Sequence, residues 1–118
     1  MPTVLDYDWQ PLSALRPLLL AVEGMLEVTV SQLQDILLAK KKALMLEKRV
    51  VEHIRNTYAQ RQSHLRLFRL QCERWKTEPL VAHQLQSLDK LEAVLTALEK
   101  MNQQILCILQ VYEEDNRF

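Results

Sequence analysis

The residues best suited to chemistry in this sequence are two cysteines and three histidines. His53 and His64 are eleven positions apart, so on a helix they lie on nearly the same face but about three turns away from each other. That separation is too large for them to bind one metal ion, and no short Cys or His spacing typical of a zinc site is present. The sequence therefore predicts no metal site, and we expect the histidines to be solvated.

The two cysteines do not indicate catalysis either. Cys72 follows His64 by eight positions, and Cys107 lies far along the chain. A cysteine nucleophile needs a cleft and an orienting base, whereas each cysteine here lies in the apolar pattern of a helix. A free cysteine in such a setting behaves as a small hydrophobic residue. We expect two buried thiols and no catalytic residue.

Nucleotide-binding loops are excluded by the composition. Such loops need a glycine-rich turn at the start of a helix, because close approach of the backbone to phosphate requires residues without a side chain. The chain has a single glycine, Gly24, among 118 residues. We therefore predict no cofactor-binding residue and no enzymatic activity.

The same composition predicts the fold class. One glycine and four prolines allow few loops, whereas all-β and α/β folds need many. Hydrophobic residues make up 48% of the chain, which is enough for a core, and strong helix formers dominate. We predict an all-α protein with one helical domain over residues 13–113. An extended N-terminal arm over residues 1–12 precedes it, and a frayed tail over residues 114–118 follows it.

Two long helices account for the predicted domain, one over about 14–76 and one over about 79–113. Pro79 suits the first turn of the second helix, because a helix start has no use for its missing N–H. Gly24 is a weak point inside the first helix and costs about 1 kcal/mol relative to alanine. Along both helices apolar residues recur at alternating steps of three and four, which is the heptad pattern of coiled coils.

The length of the first helix raises the question of how its apolar stripe is covered. A helix over residues 14–76 would be about 95 Å long, and the second helix can cover about half of it. A break near residues 39–42 or 56–64 would produce a compact three-helix bundle, yet neither place contains Gly or Pro. The missing breakers favour a long antiparallel helical hairpin, a coiled-coil-like bundle that oligomerises. The compact three-helix bundle is the alternative.

The heptad stripe predicts a partner-binding seam. Helix packing through such a seam is typical of a small coiled-coil subunit or adaptor of a larger assembly, as a homo- or hetero-oligomer. A chaperone that shields the amphipathic helix of another protein would use the same surface. The predicted seam residues are Leu33, Leu37, Leu44, Val51, Leu95, Leu98, Ile105 and Leu109.

Charge is distributed unevenly along the chain. Residues 40–76 carry a net charge of +8, while residues 1–39 and 77–118 carry −4 each. We expect the basic stretch to pair with returning acids such as Asp89, Glu92 and Glu99, since complementary charges set helix register. The alternative is a nucleic-acid-associated protein whose basic stripe contacts phosphates, and a membrane surface is a third interpretation. The candidate polyanion-binding residues are Lys40, Lys41, Lys42, Arg66 and Arg69.

Two features keep alternatives open. Tyr7 and Trp9 of the arm are candidates to anchor an interface with a partner, or Trp9 caps the end of the bundle itself. Asn102 falls in the second seam, where a buried asparagine fixes register, or else it lies at the edge of the seam and meets water.

The sequence also bears on location. The acidic start of the chain is unlike a signal or transit peptide. No apolar run approaches the roughly 20 residues of a membrane span. We expect a cytoplasmic or nuclear protein.

Overall fold

The fold was obtained as a computed structural model, and the structure describes residues 9–42 and 47–115. A short 3₁₀ helix over Leu12–Ala14 leads into three α-helices. These are α1 over Leu15–Lys41, α2 over Lys48–Trp75 and α3 over Ala82–Asp115. The three helices pack against one another, and no strand occurs in the described residues. The prediction of an all-α helical bundle is confirmed.

The two arrangements considered from the sequence are distinguished by the end of α1. A single helix over residues 14–76 does not form, because α1 ends at Lys41 and α2 begins at Lys48, directly after Glu47 in an extended conformation. The architecture is the three-helix alternative. Helix α2 runs unbroken through residues 56–64, so the break lies next to the first of the two predicted places, near residues 39–42.

Coverage of apolar surface explains why the chain folds back without a glycine or proline there. Helix α3 has 34 residues and is about 51 Å long. One continuous first helix would leave half of its apolar stripe in water, which costs far more than ending a helix and starting another. With the break, α3 packs along both α1 and α2.

The core of the bundle is divided into two clusters. We call the first the closed end; it contains the start of α1, the end of α2 and the first half of α3. Its buried side chains are Leu15, Leu19, Val22, Leu65, Cys72, Trp75, Leu88, Leu91, Leu95 and Leu98.

We call the second cluster the open end; it contains the end of α1, the start of α2 and the end of α3. Its buried side chains among the described residues are Ile36, Val51, Tyr58, Ile105 and Leu109. Within the described part of the chain, most of the buried apolar side chains therefore belong to the closed end.

A polar layer separates the two clusters and connects all three helices. Arg61 of α2 donates to the hydroxyl of Thr29 on α1 at 2.8 Å, and its guanidinium lies 4.6 Å from the centre of the Tyr58 ring. Asn102 of α3 is fully buried, and its Nδ2 donates to the carbonyl oxygen of Tyr58 at 3.0 Å. Asn102 therefore lies in the core rather than at the edge of the seam, where it can fix the register of α3 on α2.

Candidate interaction surfaces

The residues predicted to form a partner-binding seam lie mostly inside this chain's own bundle. Leu33 packs against the open-end cluster, Leu37 is 47% exposed, and Leu44 lies outside the described residues. In the closed bundle a buried seam cannot contact a partner, so partner binding through it would require the helices to separate. The seam residues that are fully or almost fully buried are Val51, Leu95, Leu98, Ile105 and Leu109.

A different apolar surface is exposed on α1. Leu20 and Val28 are 58% and 61% exposed, and they rank among the most exposed large hydrophobic side chains of the described chain. Gly24 lies midway between them, and residues four apart share a helix face. We call Leu20, Gly24 and Val28 the α1 outer face. It points away from the side of α1 that carries the buried Leu19, Val22, Thr29 and Ile36.

Packing among the described residues does not explain the glycine of this face. A Cβ atom added at Gly24 would meet no atom of the described residues within 4 Å. Glycine inside a helix nevertheless costs about 1 kcal/mol relative to alanine. The α1 outer face thus combines two exposed apolar side chains with a site where another backbone can approach closely.

Acidic residues border the α1 outer face. Glu27 and Asp35 are exposed, and neither has an ion pair within the described part of the chain. Glu23, by contrast, pairs with Lys90 of α3 at 3.3 Å and ties α1 to the bundle. The exposed face of α1 is therefore apolar along its middle, with Glu27 and Asp35 at its border and the exposed Arg16 one turn before Leu20.

The basic stretch pairs with acids inside the bundle at its C-terminal half. Arg69 forms a forked contact with Glu99, at 2.8 and 3.4 Å, and lies 3.8 Å from Glu92. The Nζ atom of Lys76 lies 2.7 Å from Glu92 and 3.1 Å from Glu73. The hydrogen bond with Glu99 raises the pKa of Arg69, and that with Glu92 raises the pKa of Lys76.

This network agrees with the charge pairing expected from the sequence at Glu92 and Glu99. Asp89 has no ion pair with any described residue. A further pair at the open end joins Arg55 of α2 to Glu113 of α3. These contacts fix α2 against α3, and they neutralise part of the positive charge that a polyanion would need.

The five candidate polyanion-binding residues do not come together. Arg69 is held by its carboxylate partners, while Arg66 is exposed and lines a groove of about 450 Å³ between α2 and α3. Lys40, Lys41 and Lys42 lie at the other end of the bundle. About 27 Å of helix separates the start of α2, next to these lysines, from Arg66.

The end of the arm docks on the closed end through its backbone. The N–H of Gln10 donates to Oε1 of Gln71 at 2.9 Å, and the carbonyl of Gln10 accepts from Nε2 of Gln71 at 3.3 Å and from the Trp75 indole at 3.2 Å. Gln71 and Trp75 are both buried. A buried side-chain amide with both of its groups satisfied by one residue holds that residue firmly in place.

Trp9 lies against the bundle as well, with Arg74 positioned 5.1 Å from the centre of its ring. In this structure Trp9 therefore caps the closed end of its own chain. Tyr7, the other candidate arm anchor, lies outside the described residues. Sequence reasoning missed Gln71 because a single glutamine in a heptad pattern carries no signal of its own.

The two thiols differ in their surroundings. Cys72 is fully buried, and burial together with the nearby Glu92 raises its pKa from 9.0 to about 11, so it stays protonated at neutral pH. Cys107 is exposed on α3, and the prediction of two buried thiols is wrong for this residue. The run from Ile105 to Leu109 is apolar on every side of α3, whereas the structure buries only one side of the helix there. Periodicity alone therefore could not show that Cys107 lies on the exposed side.

Two further features are absent from the described residues. No group of three His, Cys, Asp or Glu side chains within them could hold a metal ion. None of the described helices is long and apolar enough to span a bilayer.

Comparison with known proteins found no matching family model, no similar curated protein and no similar solved structure.

Proposed function

We propose that this protein is a non-enzymatic helical interaction protein, an adaptor or subunit of a larger assembly. It binds a basic amphipathic helix of another protein on the α1 outer face. The observation that supports this proposal is the exposed apolar pair Leu20 and Val28 around a glycine that makes no close packing contact with the described residues.

The energy available at this face fits helix packing. Burying a leucine or valine side chain completely contributes about 1.5–3 kcal/mol. Gly24 lets a large side chain of the partner helix fill the gap between Leu20 and Val28, as ridges of one helix fill grooves of another. The bundle core is already filled, so binding here needs no opening of the helices.

Charge selects the kind of partner helix. Glu27 and Asp35 border the face and are free to pair with lysine or arginine side chains flanking an apolar stripe. Complementary charge speeds association and rejects partners of the wrong sign. An adaptor and a chaperone that shields such a helix would use this same face, and only what happens to the partner after binding separates them.

The first test uses a synthetic peptide in place of the partner. A labelled amphipathic helix with a leucine stripe and lysine flanks is titrated with the full chain and followed by fluorescence anisotropy. A second peptide with the same stripe and glutamate flanks serves as its control. We expect the lysine peptide to bind more tightly, with an affinity that weakens as salt increases.

Neutral variants then locate the binding surface. Leu20→Asn and Val28→Asn should each weaken binding of the lysine peptide about tenfold, the loss of most of one apolar contact. Leu85→Asn is the matched control, because Leu85 is 48% exposed but lies on α3. Equal losses in all three variants, or no binding of either peptide, would reject the proposal.

Gly24→Leu separates binding from folding. The substitution should raise the stability of the bundle by nearly 1 kcal/mol, because leucine favours a helix and the space is open. It should also weaken binding of the lysine peptide, since the added side chain fills the gap. A variant that is more stable and still binds normally would show that the glycine has no role in recognition.

A further inference from the structure

We propose that the open end of the bundle binds the anionic surface of a lipid bilayer. The contact is peripheral and uses the end of α1 and the start of α2. It is separate from the α1 outer face, so it does not depend on the proposed protein partner.

A cluster of exposed cations carries the proposal. Lys40 and Lys41 form the last turn of α1, and Lys42 is the residue after it. Lys48 and Arg49 begin α2. All five are exposed, and none of them has an ion pair with a described residue. Residues 37–50 carry a net charge of +4, since Glu47 is the single acid among them.

The fold compensates this charge only in part. Lysines at the C-terminus of α1 are favourable, because the helix dipole is negative there. Lys48 and Arg49, however, occupy the positive N-terminus of α2, whose first turn contains no acid. Two helix ends therefore place five like charges at one end of the bundle, and an anion from outside the chain would relieve their repulsion.

Exposed apolar side chains at the same end favour an anionic lipid surface as the partner of these cations. Leu37, Leu38 and Val50 are 47%, 50% and 42% exposed. They adjoin Ile36 and Val51, which meet in the open-end core. A lipid surface accommodates both groups, because leucine and valine enter the acyl boundary while lysines contact the headgroups.

A nucleic acid fits this end less well. Phosphates would pair with the cations but would leave Leu37, Leu38 and Val50 in water. Base stacking needs exposed aromatic rings, and the aromatic residues in the described part of this end, Tyr58 and Tyr112, are not exposed. The combination of cations with aliphatic side chains therefore favours lipid.

The experiment measures binding of the full chain to vesicles by sedimentation. One set of vesicles contains equal parts of phosphatidylglycerol and phosphatidylcholine, and the other contains phosphatidylcholine alone. We expect binding to the anionic vesicles only, decreasing with salt. The double variant Lys41→Gln and Arg49→Gln should weaken it about 25-fold, since each cation near an anionic surface contributes about fivefold.

Matched variants separate lipid from a general polyanion effect. Leu38→Asn should weaken vesicle binding about tenfold, whereas Leu85→Asn, at nearly the same exposure on α3, should not. Arg66→Gln removes a cation that lies outside the open end and has no ion pair with a described residue, and it should also leave binding unchanged. Circular dichroism melts confirm that each variant is folded.

Three results would overturn the proposal. They are equal binding to both kinds of vesicle, equal losses in the open-end and control variants, and wild-type binding by Leu38→Asn. The last result, accompanied by salt-sensitive binding of a labelled RNA or DNA duplex, would assign the cation cluster to nucleic acid instead.

Discussion

The two ends of this bundle have opposite characters. The closed end has the larger core, and the buried Gln71 and Trp75 hold the backbone of the arm against it. Among the described residues, the open end has half as many buried core residues, with exposed leucine, valine and lysine side chains around them. Apolar surface that is buried stabilises the fold, and apolar surface left exposed beside charge is available for binding. The comparison predicts that stability resides mainly at the closed end, whereas the proposed lipid contact is at the open end.

The largest expected effect tests where stability resides. Trp75→Ala should lower the free energy of unfolding by about 3–5 kcal/mol, because it leaves a cavity and removes a hydrogen bond to Gln10. Ile36→Ala at the open end should cost about 2 kcal/mol, since fewer neighbours surround it and they can collapse into the space. Urea unfolding of both variants measures the difference, and equal losses would contradict the comparison.

An intermediate effect concerns the buried thiol of the closed end. Because the pKa of Cys72 is about 11 when folded and 9.0 in its ordinary state, the unfolded thiol ionises first. The stability that the Cys72 thiol contributes is fully present below pH 9 and is lost as pH rises towards 11, which lowers the free energy of unfolding by about 2–3 kcal/mol in total. The free energy of unfolding is measured against pH for the native chain and for Cys72→Ala. The difference between the two profiles isolates the thiol from Lys76, whose raised pKa acts in the same direction.

Thiol labelling provides an independent check on the same comparison. Cys107 should react with a thiol reagent at the rate of an exposed cysteine, whereas Cys72 should react only when the bundle opens. Rapid labelling of both cysteines in the folded chain would contradict the burial of Cys72 in the core of the closed end.

The smallest expected effect is at the layer between the two ends. Asn102→Leu would join the two apolar clusters, and the Tyr58 carbonyl keeps its bond within α2. We expect a gain of about 1 kcal/mol in the free energy of unfolding, because a buried amide is replaced by apolar contact. A loss of similar size would show that the hydrogen bond contributes more than packing at this position.

Individual residues show how far the sequence could predict this structure. Heptad spacing correctly placed Leu95, Leu98 and Ile105 along the stripe that the structure buries. It could not say whether they face helices of the same chain or of another, because periodicity is the same in both cases. The α1 outer face was missed for a related reason: Leu20 and Val28 lie off the seam, where single apolar residues are common.

Local chemistry by itself determined the helical class and the excess of charge in residues 40–76. Both depend on residues close together in the chain. The prediction that Pro79 lies in the first turn of the second long helix is wrong, because α3 begins at Ala82. Only the tertiary structure decided that α1 ends at Lys41, that Gln71 binds the backbone of Gln10 and that Cys107 faces water. Those outcomes depend on which distant surfaces cover one another, and that competition leaves no pattern in the local sequence.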